Sequence, residues 1–370
     1  MLVSKKIFSL ESFYFENAHV TIPVTIGYET YGTLNQKKSN AILLCHHFTG
    51  TGHAAGDYVT SDARPGWWDA LVGPGKAIDT DRHFVICSDT IANINAHDPH
   101  VITTGPATIN PATGKEYALS FPIFSLKDVV RLQKKLLESL GIERLVMVGG
   151  PSMGGLQAFM WGRYFPGVAD RILAVCATPM LRPYGIMIPN QLAIDAIMLD
   201  PDWNDGNYYG RQPPQKGLFL AFKILLIATR TDHWAERRFG RQFADATFKD
   251  YSDPRKSFYG KYLVEKEVER TVLEHLHFFD ANSYLYTAKA NTLFDLREHG
   301  ESLERALGRI SAKTLMIIDE SDLVFTREQA EEARRSMKEC ECFFYNSGNG
   351  HLSSVNEHSH FVDKVKSFAG

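Results

Sequence analysis

The sequence predicts an α/β fold: a mostly parallel, doubly wound sheet interrupted by a long helical insertion. Three observations predict it. Short apolar runs of strand length alternate with helical spacing toward both ends of the chain. Between about Leu181 and Leu307 the strand signal stops and helical patterns dominate. One apolar run, Leu145 to Val148, passes through a glycine-rich corner straight into a helical pattern.

The 370 residues suit one large domain carrying an insertion better than two equal domains. The expected division is a core of residues 1–180 and 308–370 with a helical lid at 181–307. Hydrophobic residues at 44% and charged residues at 22% are ordinary for a globular protein that is not a membrane span. A net charge of −3 without a basic stripe argues against nucleic acid. No run approaches the roughly 18 apolar residues of a spanning helix, and the N-terminus shows no apolar leader, so a cytoplasmic protein is expected. The five cysteines are odd in number, three sit in strand-like runs, and none has zinc spacing, which fits a reducing compartment. Cys340-x-Cys342 reads as the start of a strand.

Taken in order, Val20 to Tyr28 alternate as antiparallel edge strands do. Ala41 to Cys45 is a short buried strand that runs into His46-His47-Phe48-Thr49-Gly50-Thr51-Gly52-His53. These histidines read as loop hydrogen-bonders, and no metal site is expected. A loop with adjacent Trp67 and Trp68 follows, and Trp67 is a candidate wall of a pocket mouth. Phe84 to Ser88 is the next strand, and Asp89 to Glu116 is a long irregular stretch of the kind that carries function. Ser125 caps a helix ending at Gly141. Ile172 to Cys176 is a strand. The insertion shows helical patterns at Gln191–Leu199, Gly217–Thr229, Val264–Phe279 and Asn282–Phe294. Lys313–Ile318 and Cys342–Tyr345 are strands flanking a helix at Arg327–Met337, and a last helix is expected from Asn356 to Phe368.

The glycine-rich corner is Gly149-Gly150-Pro151-Ser152-Met153-Gly154-Gly155. A serine in Gly-x-Ser-x-Gly between a strand and a helix is the nucleophile elbow of an α/β-hydrolase fold. A sharp turn leaves no room for flanking side chains, so glycines stand there. The oxyanion of acyl transfer needs two amides, and Phe48 N–H and Met153 N–H are the candidates. A serine hydroxyl needs an imidazole to take its proton and a carboxylate to orient the imidazole. In this fold the acid and then the histidine follow the serine. Asp319, Glu320 and Asp322 compete at the end of one strand; Asp322 is favoured because it lies past the strand, in the loop. His351 follows the last strand. His358 and His360 read as a solvated helix face.

With these residues in hand, the chain resembles the homoserine O-acetyltransferase family. The carrying motifs are Cys45-His46-x-x-Thr49-Gly50, Gly66-Trp67-Trp68-Asp69-x-Leu-x-Gly-Pro-Gly-Lys-Ala-x-Asp79-Thr, and Thr104-Gly-Pro-x-x-Ile-Asn-Pro-Ala-Thr-Gly-Lys115, with the elbow, Phe239-Gly-Arg241 and Asp280-Ala-Asn-Ser-Tyr-Leu-Tyr286. The resemblance implies an α/β-hydrolase core with a helical lid and an acyl-Ser152 intermediate resolved by a hydroxyl. Ser152, Asp322 and His351 fall where the family keeps its triad. It implies acetyl-CoA or another acyl-CoA as donor, no bound cofactor, and small-molecule substrates. It also marks Thr49 and Trp67 as substrate contacts. The family's substrate-binding arginine and tyrosine are replaced by Phe222 and Thr229, and the acid after its histidine by Leu352. The acceptor is therefore expected to differ from homoserine. A serine esterase or thioesterase is the alternative. Apolar lid faces (Leu218, Leu225, Leu226) leave room for a homodimer.

Overall fold

The computed structural model describes residues 1–58, 65–245, 247, 252–298 and 300–370. The remaining positions of the expected core and lid lie outside the described residues. The chain begins with an antiparallel hairpin of β1 (Lys6–Phe15) and β2 (Val20–Tyr31), followed by β3 (Ala41–Leu44). A small separate ribbon pairs β4 (Val72–Gly73) with β5 (Ile78–Asp79). Then come β6 (Phe84–Ser88), α1 (Leu126–Ser139), β7 (Met147–Pro151), α2 (Met153–Tyr164) and β8 (Arg171–Val175). The stretch after β8 carries α3 (Pro183–Ile186), α4 (Leu192–Met198), α5 (Gln215–Ala228), α6 (Asp232–Phe239), α7 (Leu263–Leu276), α8 (Ala281–Thr292) and α9 (Leu303–Gly308). Among its described residues there is no strand, only an isolated bridge from Phe243 to Tyr262. The sheet resumes with β9 (Lys313–Asp319), α10 (Arg327–Ser336) and β10 (Cys340–Tyr345), and the chain closes with α11 (Ser353–Asn356) and α12 (Val362–Ala369).

The eight main strands lie in the order β1-β2-β6-β3-β7-β8-β9-β10. The β1–β2 and β2–β6 pairs are antiparallel, and every other pair is parallel. Parallel strands are buried on both faces, which is why they read as continuous apolar runs. Along β3, Ala41 and Leu43 belong to one core and Ile42 and Leu44 to the other. The first core takes α1, α2 and the helices between β8 and β9; the second takes α12 and the Trp68–Ile78 loop. From β3 the chain steps outward to β6 and then returns to lay β7 on β3's other side. The loops after β3 and β7 therefore flank a topological switch point, where open α/β sheets bind ligands.

The sequence misplaced some elements. The helix α6 was not expected, because half of its residues are charged and only Trp234 and Phe239 on it are buried. The final helix was expected to run unbroken from Asn356. Instead Glu357 leaves helical geometry (φ −132°, ψ 54°), His358–His360 form a 3-10 turn, and α12 starts only at Val362. Nor does the apolar stripe of α5 face outward: Leu218 and Leu226 are buried in the core.

Candidate active site

Ser152 stands between β7 and α2 with φ 54° and ψ −122°. A side-chain-bearing residue in this region costs on the order of 1–3 kcal/mol and persists only when its surroundings hold it. They do so here: the Ser152 N–H donates to Val175 O at 2.9 Å, and its carbonyl accepts from Gly155 and Leu156. The flanking glycines have a common cause. A Cβ on either Gly150 or Gly154 would sit 2.0 Å from the Cys45 carbonyl oxygen at the end of β3. A Cβ on Gly155 would meet Ala177 at 2.4 Å. The elbow is thus wedged between the ends of β3 and β8, which leaves no room for side chains at Gly150, Gly154 and Gly155 around the serine.

His351 Nε2 lies 2.8 Å from Ser152 Oγ, and Nδ1 lies 2.7 Å from Asp322 Oδ2. Asp322 is buried, and its Oδ1 accepts from the N–H groups of Val324 (2.7 Å) and Phe325 (3.2 Å). One carboxylate oxygen is held by backbone while the other meets the imidazole. This fixes Nδ1 as the donor and leaves Nε2 to accept the serine proton. The competing acids have other partners. Asp319 accepts from Ser321 N–H (2.9 Å), Ser321 Oγ (2.6 Å) and the Ser347 hydroxyl, tying β9 to the loop that carries His351. Glu320 pairs at the surface with Arg327 at 2.5 Å. His358 and His360 lie in the later 3-10 turn, so the expected helix face is not theirs.

Phe48 and Met153 both wall the cavity in front of Ser152. Met153 opens α2, so its N–H is one the helix cannot use. Among the described residues the Phe48 N–H donates to no backbone carbonyl. The loop bearing Phe48 is held by two buried amides: Asn93 Nδ2 donates to Gly50 O (3.0 Å) and Asn95 Nδ2 to Thr49 O (3.1 Å). Sequence reading left these residues inside an irregular stretch. Burial pushes His46 down to about 4, against the pull of its bond to the His47 carbonyl. Burial, then His46 and His351, push His47 down to about 3. A neutral His47 does not oppose a cation forming on His351.

The Ser152 cavity measures about 40 Å³. Its apolar wall includes Leu156, Leu225, Val324 and Phe325; its polar edge is Thr229, Asn190 and Asn291. Both asparagines were missed from the sequence. Asn190 belongs to a π-helical turn, Met187–Gln191, a distortion common at functional sites. Its Nδ2 donates to Gly185 O at 2.7 Å, and Asn291 Nδ2 lies 3.5 Å from its Oδ1. The Oδ1 of Asn291 is buried without a partner among the described residues.

The other expected contacts are distributed elsewhere. Thr229 is in the cavity wall, but Phe222 is not; its ring packs on Phe279 (5.0 Å) and His275 (5.7 Å). Phe222 shares one stripe of α5 with Leu225 and Thr229 but stands about 10 Å along the axis from Thr229. Leu352 is half-buried against the core and does not line the cavity. Thr49 and Trp67 line a separate cavity of about 540 Å³ on the β3–β6 side. There the Tyr58 ring stacks between His53 (4.3 Å) and His100 (4.1 Å). Beneath it burial works to raise the Glu29 carboxyl, but His53, Lys5 and Tyr58 outweigh it and hold it at about 2. Among the described residues no three His, Cys, Asp or Glu side chains gather to hold a metal. No described helix is long and apolar enough to cross a membrane.

Residues 40–354 match a family model described as the alpha/beta hydrolase fold. The chain is 44% identical to homoserine O-acetyltransferase of Deferribacter desulfuricans over 328 residues, covering 89% of this chain and 84% of that protein. It is 40% identical to homoserine O-acetyltransferase of Geobacter sulfurreducens, covering 95% and 93%. Among solved structures, homoserine O-acetyltransferase from Bacillus anthracis matches with a TM-score of 0.92 at 41% identity, over 100% of this chain and 98% of that one. Esterase E22 matches with the same TM-score of 0.92 at 36% identity over the whole of both chains.

Proposed function

The chain belongs to the homoserine O-acetyltransferase family, and on that premise we propose that it moves a short acyl group from an acyl-CoA to a hydroxyl through an ester on Ser152. The observation that carries this reading is the unbroken hydrogen-bond chain from Asp322 through His351 to Ser152 Oγ, ending in a small, mostly apolar cavity. His351 Nε2 takes the serine proton as Oγ attacks the thioester carbonyl. The oxyanion that forms meets the Phe48 and Met153 N–H groups. Collapse expels the CoA thiolate, which receives the proton from His351. An acceptor hydroxyl then gives its proton to the same nitrogen, attacks the acyl-serine and restores Ser152. Asp322 stabilises the imidazolium in both halves.

A cavity of about 40 Å³ suits a two-carbon acyl group rather than a long chain. The names of the relatives favour homoserine as acceptor. The cavity wall favours a neutral hydroxyl compound: among the described residues no Lys, Arg, Asp or Glu lines it. A zwitterion there would leave its charges unpaired, which costs on the order of 1–3 kcal/mol each or more. Hydrolysis of the same acyl-enzyme is the second reading, favoured by the full-length match to esterase E22. The test is CoA release from acetyl-CoA with and without homoserine, beside Ser152→Ala. Homoserine-dependent release that vanishes in the variant establishes homoserine as acceptor and sinks the argument from the wall. Ser152-dependent release indifferent to homoserine points to another acceptor or to water.

The five free thiols, three of them buried, support a reducing compartment. Exposed Leu220, Ile227 and Leu273 on α5 and α7 support a homodimer, which sedimentation would detect. These differ from the leucines expected from the sequence.

A further inference from the structure

A third cavity opens among the helices between β8 and β9, behind the last turn of α5. It measures about 360 Å³ and lies between α5, α6 and α7, against Leu226, Arg230, Trp234, Arg238, Glu267 and Arg270. Its charges do not cancel. Arg270 is taken up by Glu267 (2.9 Å) and Glu274 (2.5 Å). Among the described residues, no carboxylate lies within ion-pair distance of Arg230 or Arg238, and neither guanidinium has a hydrogen-bond acceptor. Arg230 sits 4.7 Å over the Trp234 ring. Trp234 is 6% exposed, and its indole N–H is buried with no acceptor among the described residues. Burial, joined by Arg238 and only partly offset by the more distant Glu357, pushes the Arg230 guanidinium down to about 10. A desolvated cation beside a second cation costs free energy until an anion completes it. A guanidinium that rests over an aromatic ring spends none of its N–H groups on an acceptor there, and its N–H fork matches phosphate oxygens two at a time.

We propose that this cavity binds a phosphate group, supplied by the phosphorylated end of the acyl donor. The donor assignment rests on the acyl-CoA reading above. Position supports it, because the two cavities share one turn of helix. Leu225 and Thr229 wall the Ser152 cavity, while the next residues, Leu226 and Arg230, wall this one. The Thr231 hydroxyl at the start of α6 donates to Gly348 O in the loop that carries His351. An occupant here therefore sits one helix turn from the Ser152 cavity and beside the segment bonded to the His351 loop.

The test uses the full-length protein, Arg230→Gln and Arg238→Gln. Calorimetry with CoA and with inorganic pyrophosphate gives binding, and KM is compared for acetyl-CoA and acetyl-pantetheine, which carries the thioester without phosphates. Arg238 is exposed, so its variant reports on the site even if Arg230→Gln disturbs the fold. The expected result is CoA binding weakened about tenfold in each variant. The ratio of KM for acetyl-CoA to that for acetyl-pantetheine rises in parallel. Arginine-dependent binding of pyrophosphate with unaltered CoA binding would keep the phosphate site and overturn the donor as its source. Unchanged binding of both in both variants would overturn the site. Failure of the acyl-transfer reading is separate: it would show as no Ser152-dependent CoA release while arginine-dependent binding persists.

Discussion

The turn after β7 and the helices between β8 and β9 build the same cavity by different means. At the turn, backbone fixes everything. Ser152 is pinned through Val175 and the glycines yield to Cys45 O; past β9, Asp322 is likewise held by two consecutive N–H groups. In the helical stretch, side chains decide. Thr229, Asn190 and Asn291 arrive from three separate segments and meet only through packing. On the proposed function, the chemistry would be carried by the rigid half and the choice of acceptor by the half that sequence change reshapes easily.

If that division holds, Ser152→Ala should have the largest effect, a loss of about 10⁴-fold or more in CoA release with every acceptor. An acceptor-dependent loss would break the division. Asp322→Asn should follow, at about 10³- to 10⁴-fold, carried by kcat rather than KM, because the fold keeps its backbone contacts while the imidazole tautomer is lost. Asn291→Leu should shift the ratio of transfer to hydrolysis about tenfold and depress CoA release far less. Equal losses in both would place Asn291 with the chemistry instead.

The rigid half also predicts a pH response. His46 and His47 are held near 4 and 3, below the ordinary 6.5. Unfolding lets them take up protons once the pH falls below about 6.5, so the stability from keeping them neutral declines from there toward 4. Glu29, held at about 2 against an ordinary 4.5, adds a further loss as pH falls from 4.5 toward 2. The melting temperature should drop between pH 7 and 5, and His46→Asn should flatten that slope. An unchanged slope would contradict the assignment to His46.

The same contrast explains what the sequence revealed. The elbow was legible because its cause is local: a strand, a corner too tight for Cβ atoms, and a helix leave their marks within a dozen residues. Asp322 and His351 were legible because strand ends lie on one edge of a parallel sheet. Phe222 was misjudged because a motif gives a position along a helix but not where the cavity ends; α5 carries that residue past it onto Phe279. Asn190 and Asn291 left no local mark at all, since neither has a role until α8 packs beside the π-turn.

The most direct test of an acyl-Ser152 intermediate is the mass of the Ser152 peptide. The protein is mixed with acetyl-CoA without acceptor, quenched in acid and digested. An acyl-Ser152 intermediate predicts an acetyl group on the peptide carrying Ser152, absent in Ser152→Ala and discharged when a competent hydroxyl acceptor is added. CoA release with an unmodified Ser152 peptide, or with the acetyl group on another residue, would contradict it.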